Sequence, residues 1–184
     1  LILMIVVIFF QAFIIQPITS VNASSTNLAL GKTITANNYT QTYMAINAND
    51  GRVDSYWEGA PNAYPNILSV DLGASQEITH IVLKLNPNPI WSVRTQTFSV
   101  LGSVDNRNYT TLVESRTYTF DPATGNTVIV TIPSANQRYV RLNFTANSGA
   151  PGAQVAEFEI YNDNEEEPPP PPPEGSNLAI GKQI

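Results

Sequence analysis

The sequence predicts an all-β fold, an antiparallel sandwich or barrel. Three observations carry this. Runs of alternating apolar and polar residues recur at short intervals. Each run is rich in Val, Ile, Thr and aromatics and is bounded by Gly, Pro, Asn or Asp. No ten-residue stretch holds a helical period without such a breaker. Many short strands at regular spacing make a sandwich or a barrel.

Taken in order, residues 1–23 come first. They carry no charge, are almost wholly apolar up to Ile15, and end on the small-residue run Val21-Asn22-Ala23. This predicts a signal peptide lacking its charged start, and hence a secreted, extracellular protein. The rival is a membrane anchor. Pro17, Thr19, Ser20 and Asn22 limit the apolar run, which falls short of the ~20 residues needed to span a bilayer. Residues 24–162 form the predicted domain. Its strands are expected at Ile67–Leu72, Ile78–Leu85, Phe98–Leu101, Thr127–Ile132, Tyr139–Phe144 and Val155–Ile160. A stretch of this length can bury a real core without disulfides.

Residues 163–175 read as an acidic, polyproline linker. Pro168 to Pro173 favour polyproline II at ~3.1 Å per residue, a spacer of roughly 19 Å. The chain then starts over. Thr26-Asn27-Leu28-Ala29-Leu30-Gly31-Lys32-Thr33-Ile34 recurs as Ser176-Asn177-Leu178-Ala179-Ile180-Gly181-Lys182-Gln183-Ile184. Residues 176–184 are therefore expected to open a second, tandem copy of the domain.

Composition excludes several functions. There is no cysteine and one histidine, His80, so disulfides and Cys/His zinc sites are ruled out. The net charge is −6. Most of it lies at Asp163, Glu165, Glu166, Glu167 and Glu174, which leaves residues 24–162 near neutral. Such a domain has no basic footprint for nucleic acid or anionic lipid. Asn38, Asn108 and Asn143 stand in Asn-x-Thr sequons, which matter only in a glycosylating host. No serine sits in a nucleophile elbow. His80 reads as a strand residue on a polar face, and Asp71 as a structural carboxylate. Glu157 and Glu159 are expected to face opposite sides of one strand. No enzyme is expected within this chain.

Asp50-Gly51-x-x-x-Ser55-x-Trp57 is a tight, glycine-turned loop carrying oxygen donors at Asp50 and Ser55. Far downstream, Ala156-Glu157-Phe158-Glu159-Ile160-Tyr161 puts a carboxylate on an apolar strand. A hard cation such as Ca2+ takes about six to eight oxygen ligands from carboxylates, hydroxyls and turned-out carbonyls. The alternative is a turn held by hydrogen bonds without metal.

The companion segments fall in a fixed order: Leu68-Ser69-Val70-Asp71-Leu72-Gly73, Phe98 to Asp105, Arg138-Tyr139-Val140-Arg141-Leu142, and the strand through Glu157. Together they resemble the discoidin or coagulation factor V/VIII type C domain, most closely its bacterial branch of family 32 carbohydrate-binding modules. The resemblance covers roughly Asn27 to Asn162 and implies an antiparallel jelly-roll β-sandwich. It also implies a structural Ca2+ held by the side chains of Asp50, Ser55 and Glu157 and the carbonyls of Asn47, Val53 and Ala156. The disulfide and apolar membrane-inserting spikes of vertebrate relatives are not found, so no membrane insertion is expected. The His and Arg pattern of galactose-binding relatives does not map onto this chain.

Candidate ligand contacts lie in the long connections. Aromatic faces stack on sugar rings, while fork donors and carboxylates bond hydroxyls. The segment 86–96 offers Trp91, Arg94 and Gln96. The segments 57–64 and 38–43 add Glu58, Tyr64 and Tyr43, and Gln154 closes the rim. The structural alternatives are that Trp91 caps the core and Arg94 satisfies a carboxylate; Trp57 is expected in the core. The expected function is a non-catalytic module that binds poly- or oligosaccharide and targets an attached glycoside hydrolase to polysaccharide. The alternative is a cell-surface adhesion or protein-recognition module on the same fold.

Overall fold

β-Branched and aromatic residues at alternating positions give eight strands in the computed structural model, which describes residues 26–163. The expected signal peptide, the linker from 164 onward and the second opening copy lie outside the described residues. The strands are β1 (Thr33–Ala36), β2 (Trp57–Glu58), β3 (Asn66–Lys84), β4 (Arg94–Ser103), β5 (Thr110–Phe120), β6 (Thr127–Asn147), β7 (Gln154–Val155) and β8 (Glu157–Tyr161). Three 3₁₀ turns, Ala45–Ala48, Pro89–Trp91 and Pro122–Thr124, are the only helical elements among the described residues.

All pairings are antiparallel. The main sheet runs β1-β3-β6-β4-β5, and β8 adds to β3. Strands β3 and β6 form the long central ladder. Its register shifts after Asp71 and again after Ile78. Before the shifts, β3 lies between β1 and the second half of β6, which continues to β4 and β5. After them, β3 lies between β8 and the first half of β6. The two halves of the ladder thus serve the two layers of a sandwich. The sequence places separate strands at 67–72 and 78–85. They are one strand here because extended backbone continues across the irregular stretch and pairing to β6 resumes beyond it in a shifted register. The same holds for 127–132 and 139–144.

Strand β5 was not among the expected strands. Its sequence, TTLVESRTYTF, shows little alternation. An edge strand pairs on one side only and covers little core, so most of its side chains stay polar. Between the layers sit Leu68, Val70, Ile81, Leu83, Phe98, Val100, Val140, Leu142, Phe144, Phe158 and Ile160. Phe144 is the aromatic centre, with Phe98 at 5.1 Å and Trp57 at 6.0 Å between ring centroids.

The two ends of the domain meet. Leu28 N donates to Ile160 O at 2.8 Å, and Ile160 N donates to Asn27 Oδ1 at 3.1 Å. Asp163 N donates to Thr79 Oγ1, and the Asp163 carboxylate lies 3.1 Å from His80 Nδ1. The His80 ring also stacks on Tyr161 at 5.0 Å. Asp71 is a structural carboxylate, as expected. Its two oxygens accept from Arg138 Nε and Nη2 at 2.8 and 2.9 Å.

Candidate functional site

Trp57 is fully buried, as its sequence position suggests. Strand side chains alternate, so its neighbours Tyr56 and Glu58 turn the other way. In the two-stranded β2–β7 sheet, Glu58 stands opposite Gln154. Gln154 is held on every side. Gln96 clamps its backbone, with Gln96 Nε2 donating to Gln154 O and Gln154 N donating to Gln96 Oε1, both at 2.8 Å. Its side-chain oxygen accepts from Arg94 Nη1 at 2.6 Å, and its Nε2 donates to Glu58 Oε2 at 3.0 Å. Arg94 is only 8% exposed. Its Nη2 donates to Trp91 O, and its guanidinium carbon lies 4.8 Å from the Trp91 ring centroid. Burial pushes the Arg94 pKa down, and the Glu58 charge pulls it back up.

Above this relay runs a row of aromatic rings. Tyr43 stacks on Tyr56 at 4.4 Å, and Trp91 meets Tyr56 edge-on at 4.8 Å. Burial, and then the hydroxyl contact with Tyr43, raise the Tyr56 phenol above its ordinary range, so it stays protonated. An open cleft of about 260 Å³ lies here, lined by Tyr56, Asn86, Ile90, Trp91, Arg94 and Gln154. Aromatic faces beside fixed amide and carboxylate groups suit a ligand that is apolar on its faces and polar at its edges, as a sugar ring is.

A second arrangement joins the Asp50 loop to β8. Gly51 turns the loop at φ +83°, a conformation glycine adopts freely. Glu157 Oε1 accepts from Gly51 N and Arg52 N, both at 2.8 Å. Ser55 Oγ donates to Asp50 Oδ2 at 2.7 Å. Glu157 is 2% exposed and its Oε2 is buried without a hydrogen-bond partner. Burial pushes its carboxyl up to about 7, and the adjoining Asp50 carboxylate adds to the rise. Two close carboxylates, an orphaned buried oxygen and a hydroxyl fit a hard cation, which would neutralise both acids. No group of three or more His, Cys, Asp or Glu able to hold a metal occurs among the described residues. Such an ion would therefore need backbone carbonyls as well; of the expected carbonyl donors, Asn47 lies in the 3₁₀ turn before the loop, Val53 within the loop and Ala156 between β7 and β8.

The F5/8 type C domain matches the chain over residues 21–158. The chain belongs to the F5/8 type C domain family. No curated protein matches it in sequence. Among solved structures it is similar to chitosan-binding module 1 of a chitosanase/glucanase from Paenibacillus sp. IK-5. The two share 26% identity over 74% of this chain and 99% of that one, with a TM-score of 0.59. Module 2 of the same enzyme, in complex with chitotriose, is also 26% identical over 74% of this chain and all of that one, TM-score 0.59. The family 32 carbohydrate-binding module of Clostridium perfringens NanJ, in complex with galactose, is 19% identical. It covers 75% of this chain and 99% of that one, with a TM-score of 0.63, and supports the fold. The jelly-roll expectation is thereby met.

In this F5/8 type C domain the expected ligand residues separate into two groups. Trp91, Tyr43 and Glu58 are half-buried around the aromatic row. Arg94 and Gln96 are buried, and with Gln154 they form the scaffold beneath it. Arg94 gives its Nη atoms to Gln154 and to the Trp91 carbonyl inside the protein, while its buried Nε has no hydrogen-bond partner. Tyr64 leans on the core with its hydroxyl turned inward. Tyr56 and Asn86 line the cleft and were not expected there. Alternation about a buried Trp57 points to Tyr56; Asn86 carries no such signal. Glu157 and Glu159 are two residues apart, so strand geometry puts them on one face, contrary to the expectation. They still act separately, because Glu159 binds Lys84 Nζ at 2.6 Å and the Tyr161 hydroxyl at 3.0 Å.

Proposed function

We propose that this F5/8 type C domain is a non-catalytic carbohydrate-binding module of a secreted, multidomain protein. In that protein it holds an attached glycoside hydrolase against its polysaccharide. The observation that carries the reading is the Tyr43–Tyr56–Trp91 row beside the pinned Glu58 carboxylate. The 26% identity to chitosan-binding modules supports it. The site is shallow, and a shallow site binds a single ring weakly. A second copy after the proline linker would raise retention, since two linked weak sites gain ~100- to 10,000-fold when both engage.

A structural Ca2+ between the Asp50 loop and β8 is part of the same proposal. Its side-chain ligands are Asp50, Ser55 and Glu157. Its role is to fix the loop that leads into Tyr56, Trp57 and Glu58, and so to steady the cleft from behind.

Residues 24–162, produced alone, are the material for the test. A glycan array that includes poly- and oligosaccharides should return specific retention of at least one. Absence of retention across the array, for folded protein with calcium present, would sink the proposal.

A further inference from the structure

We propose that this domain pairs with a second copy of itself along the free edge of β5, the two strands running antiparallel about a two-fold axis at Ser115. The inference is independent of the carbohydrate-binding reading.

The sandwich has an open flank. Strand β5 is bonded to β4 on one side and to no strand on the other among the described residues. Strand β4 reaches only Tyr139–Asn147 of β6. Before that, β6 has β3 on one side and no strand on the other among the described residues. A groove of about 470 Å³ lies between the two edges, lined by Leu112, Val113, Glu114 and Arg116 of β5 and by Ile132 and Pro133 of β6. The two edges are not equal. Pro133 has no N–H and interrupts the β6 edge. Strand β5 runs for 11 residues without a proline and is rich in Thr, Val and aromatics. A long open edge of such residues is a template for another strand.

Charge selects the partner. Glu114 and Arg116 are the charged residues of β5, opposite in sign, two positions apart and both exposed. In an antiparallel pair centred on Ser115, Glu114 of each copy stands opposite Arg116 of the other. Moving the axis to residue 114 sets Glu against Glu, and moving it to residue 116 sets Arg against Arg. Like charges directly opposite destabilise a pair, so the pattern admits one register and rejects its neighbours. The same register sets Leu112 against Tyr118 and Val113 against Thr117, and lays the second strand along the rim of the groove. The β4–β5 register shifts on both sides of Val100, which kinks β5 around Val113. The kink shortens the regular pairing, so the contact is small and the association weak. Arg94, beneath the cleft, pairs with Phe120 at one end of β5. Two copies in antiparallel array would carry their clefts at opposite ends of one continuous sheet, an arrangement that joins two ligand chains.

The test is sedimentation equilibrium at low salt on residues 24–184, which contain the whole described domain. The parent should pass from monomer toward dimer with a Kd on the order of 100 μM. Glu114→Arg and Arg116→Glu each turn two opposite-charge pairs into two like-charge pairs. Each should weaken association by about tenfold or more. The double variant restores the pairs with their signs exchanged and should return to within about threefold of the parent. Both side chains are exposed, so all three variants should keep the near-ultraviolet circular dichroism and melting temperature of the parent. A parent that stays monomeric up to about 1 mM would overturn the inference. So would association that neither single variant weakens, or a double variant that associates no better than the singles.

Discussion

The carboxylate of Glu157 accepts a 2.8 Å hydrogen bond from the Gly51 amide, 106 residues earlier in the chain. One strand-borne acid thereby closes a loop whose next turn sets the ligand cleft. Its other oxygen is buried without a hydrogen-bond partner beside Asp50. Two predictions concern metal and proton at this acid.

Calcium should raise the melting temperature, and chelator should lower it. An ion at 100 times its Kd adds ~2.7 kcal/mol. Asp50→Ala should remove the response. A scan that is the same in calcium and in chelator, on protein verified metal-free, would end the cation proposal.

The same acid gives metal-free protein a pH dependence of definite sign. The folded pKa of Glu157 is raised, to about 7, so its favourable contribution is complete below the unfolded value. It is lost as pH rises through about 7, by up to about 3 kcal/mol. In chelator, the melting temperature should therefore fall between about pH 5 and about pH 8. Glu157→Gln should flatten that slope. A slope of the same size in the variant would place its origin elsewhere.

At the other extreme of pH, Asp71 matters. Its hydrogen bonds from Arg138 hold its pKa below the ordinary carboxylate value, so its contribution is present above the unfolded pKa and lost as acid titrates the folded pKa. The pair is partly solvated, which limits the effect to on the order of 1 kcal/mol. Asp71→Asn should lose stability at neutral pH and narrow its gap to the parent in acid. A gap independent of pH would mean that shape rather than charge is at stake.

The two tryptophans should behave oppositely. Trp57 is fully buried against Phe144, and its replacement by Ala should cost ~3–5 kcal/mol. Trp91 sits at the cleft, and Trp91→Ala should hold its melting temperature within several degrees while losing retention on insoluble polysaccharide. Equal retention by the variant would remove Trp91 from the site.

Gly152 should tolerate nothing larger. A Cβ there would stand 2.1 Å from the carbonyl oxygen of Gly59, a backbone atom that cannot step aside. Gly152→Ala should cost about 2 kcal/mol or more and disturb the approach of β7 to β2. An unchanged urea midpoint would show that this contact is looser than the geometry requires.

Much of this was legible in the sequence, for a physical reason. Burial on one face writes a period of two into strands such as 67–72 and 139–144. The loop's oxygen donors were visible because Asp50 and Ser55 stand close in sequence around the Gly51 turn. What stayed hidden depends on contacts between distant segments. Asn66 is buried and bonds Asn38, Ala60, Ala63 and Ala153, yet it reads as an ordinary strand-start asparagine. Arg94 looked like a free fork donor because its partner, Gln154, stands 60 residues away. The fused strands β3 and β6 were read as four because local irregularity interrupts the pattern without breaking the ladder.

The meeting of the two domain ends has a mechanical consequence. Tension along the polypeptide would enter near Asn27 and leave near Asp163, at neighbouring points tied by the Leu28–Ile160, Asn27–Ile160 and His80–Asp163 contacts. The cleft and the Asp50 loop belong to the chain enclosed between those ties. While the ties hold, the load passes from segment to segment beside the sandwich, and the grip on ligand stays unstressed. A module pulled through both of its ends by flanking parts of its protein would yield first at this seam.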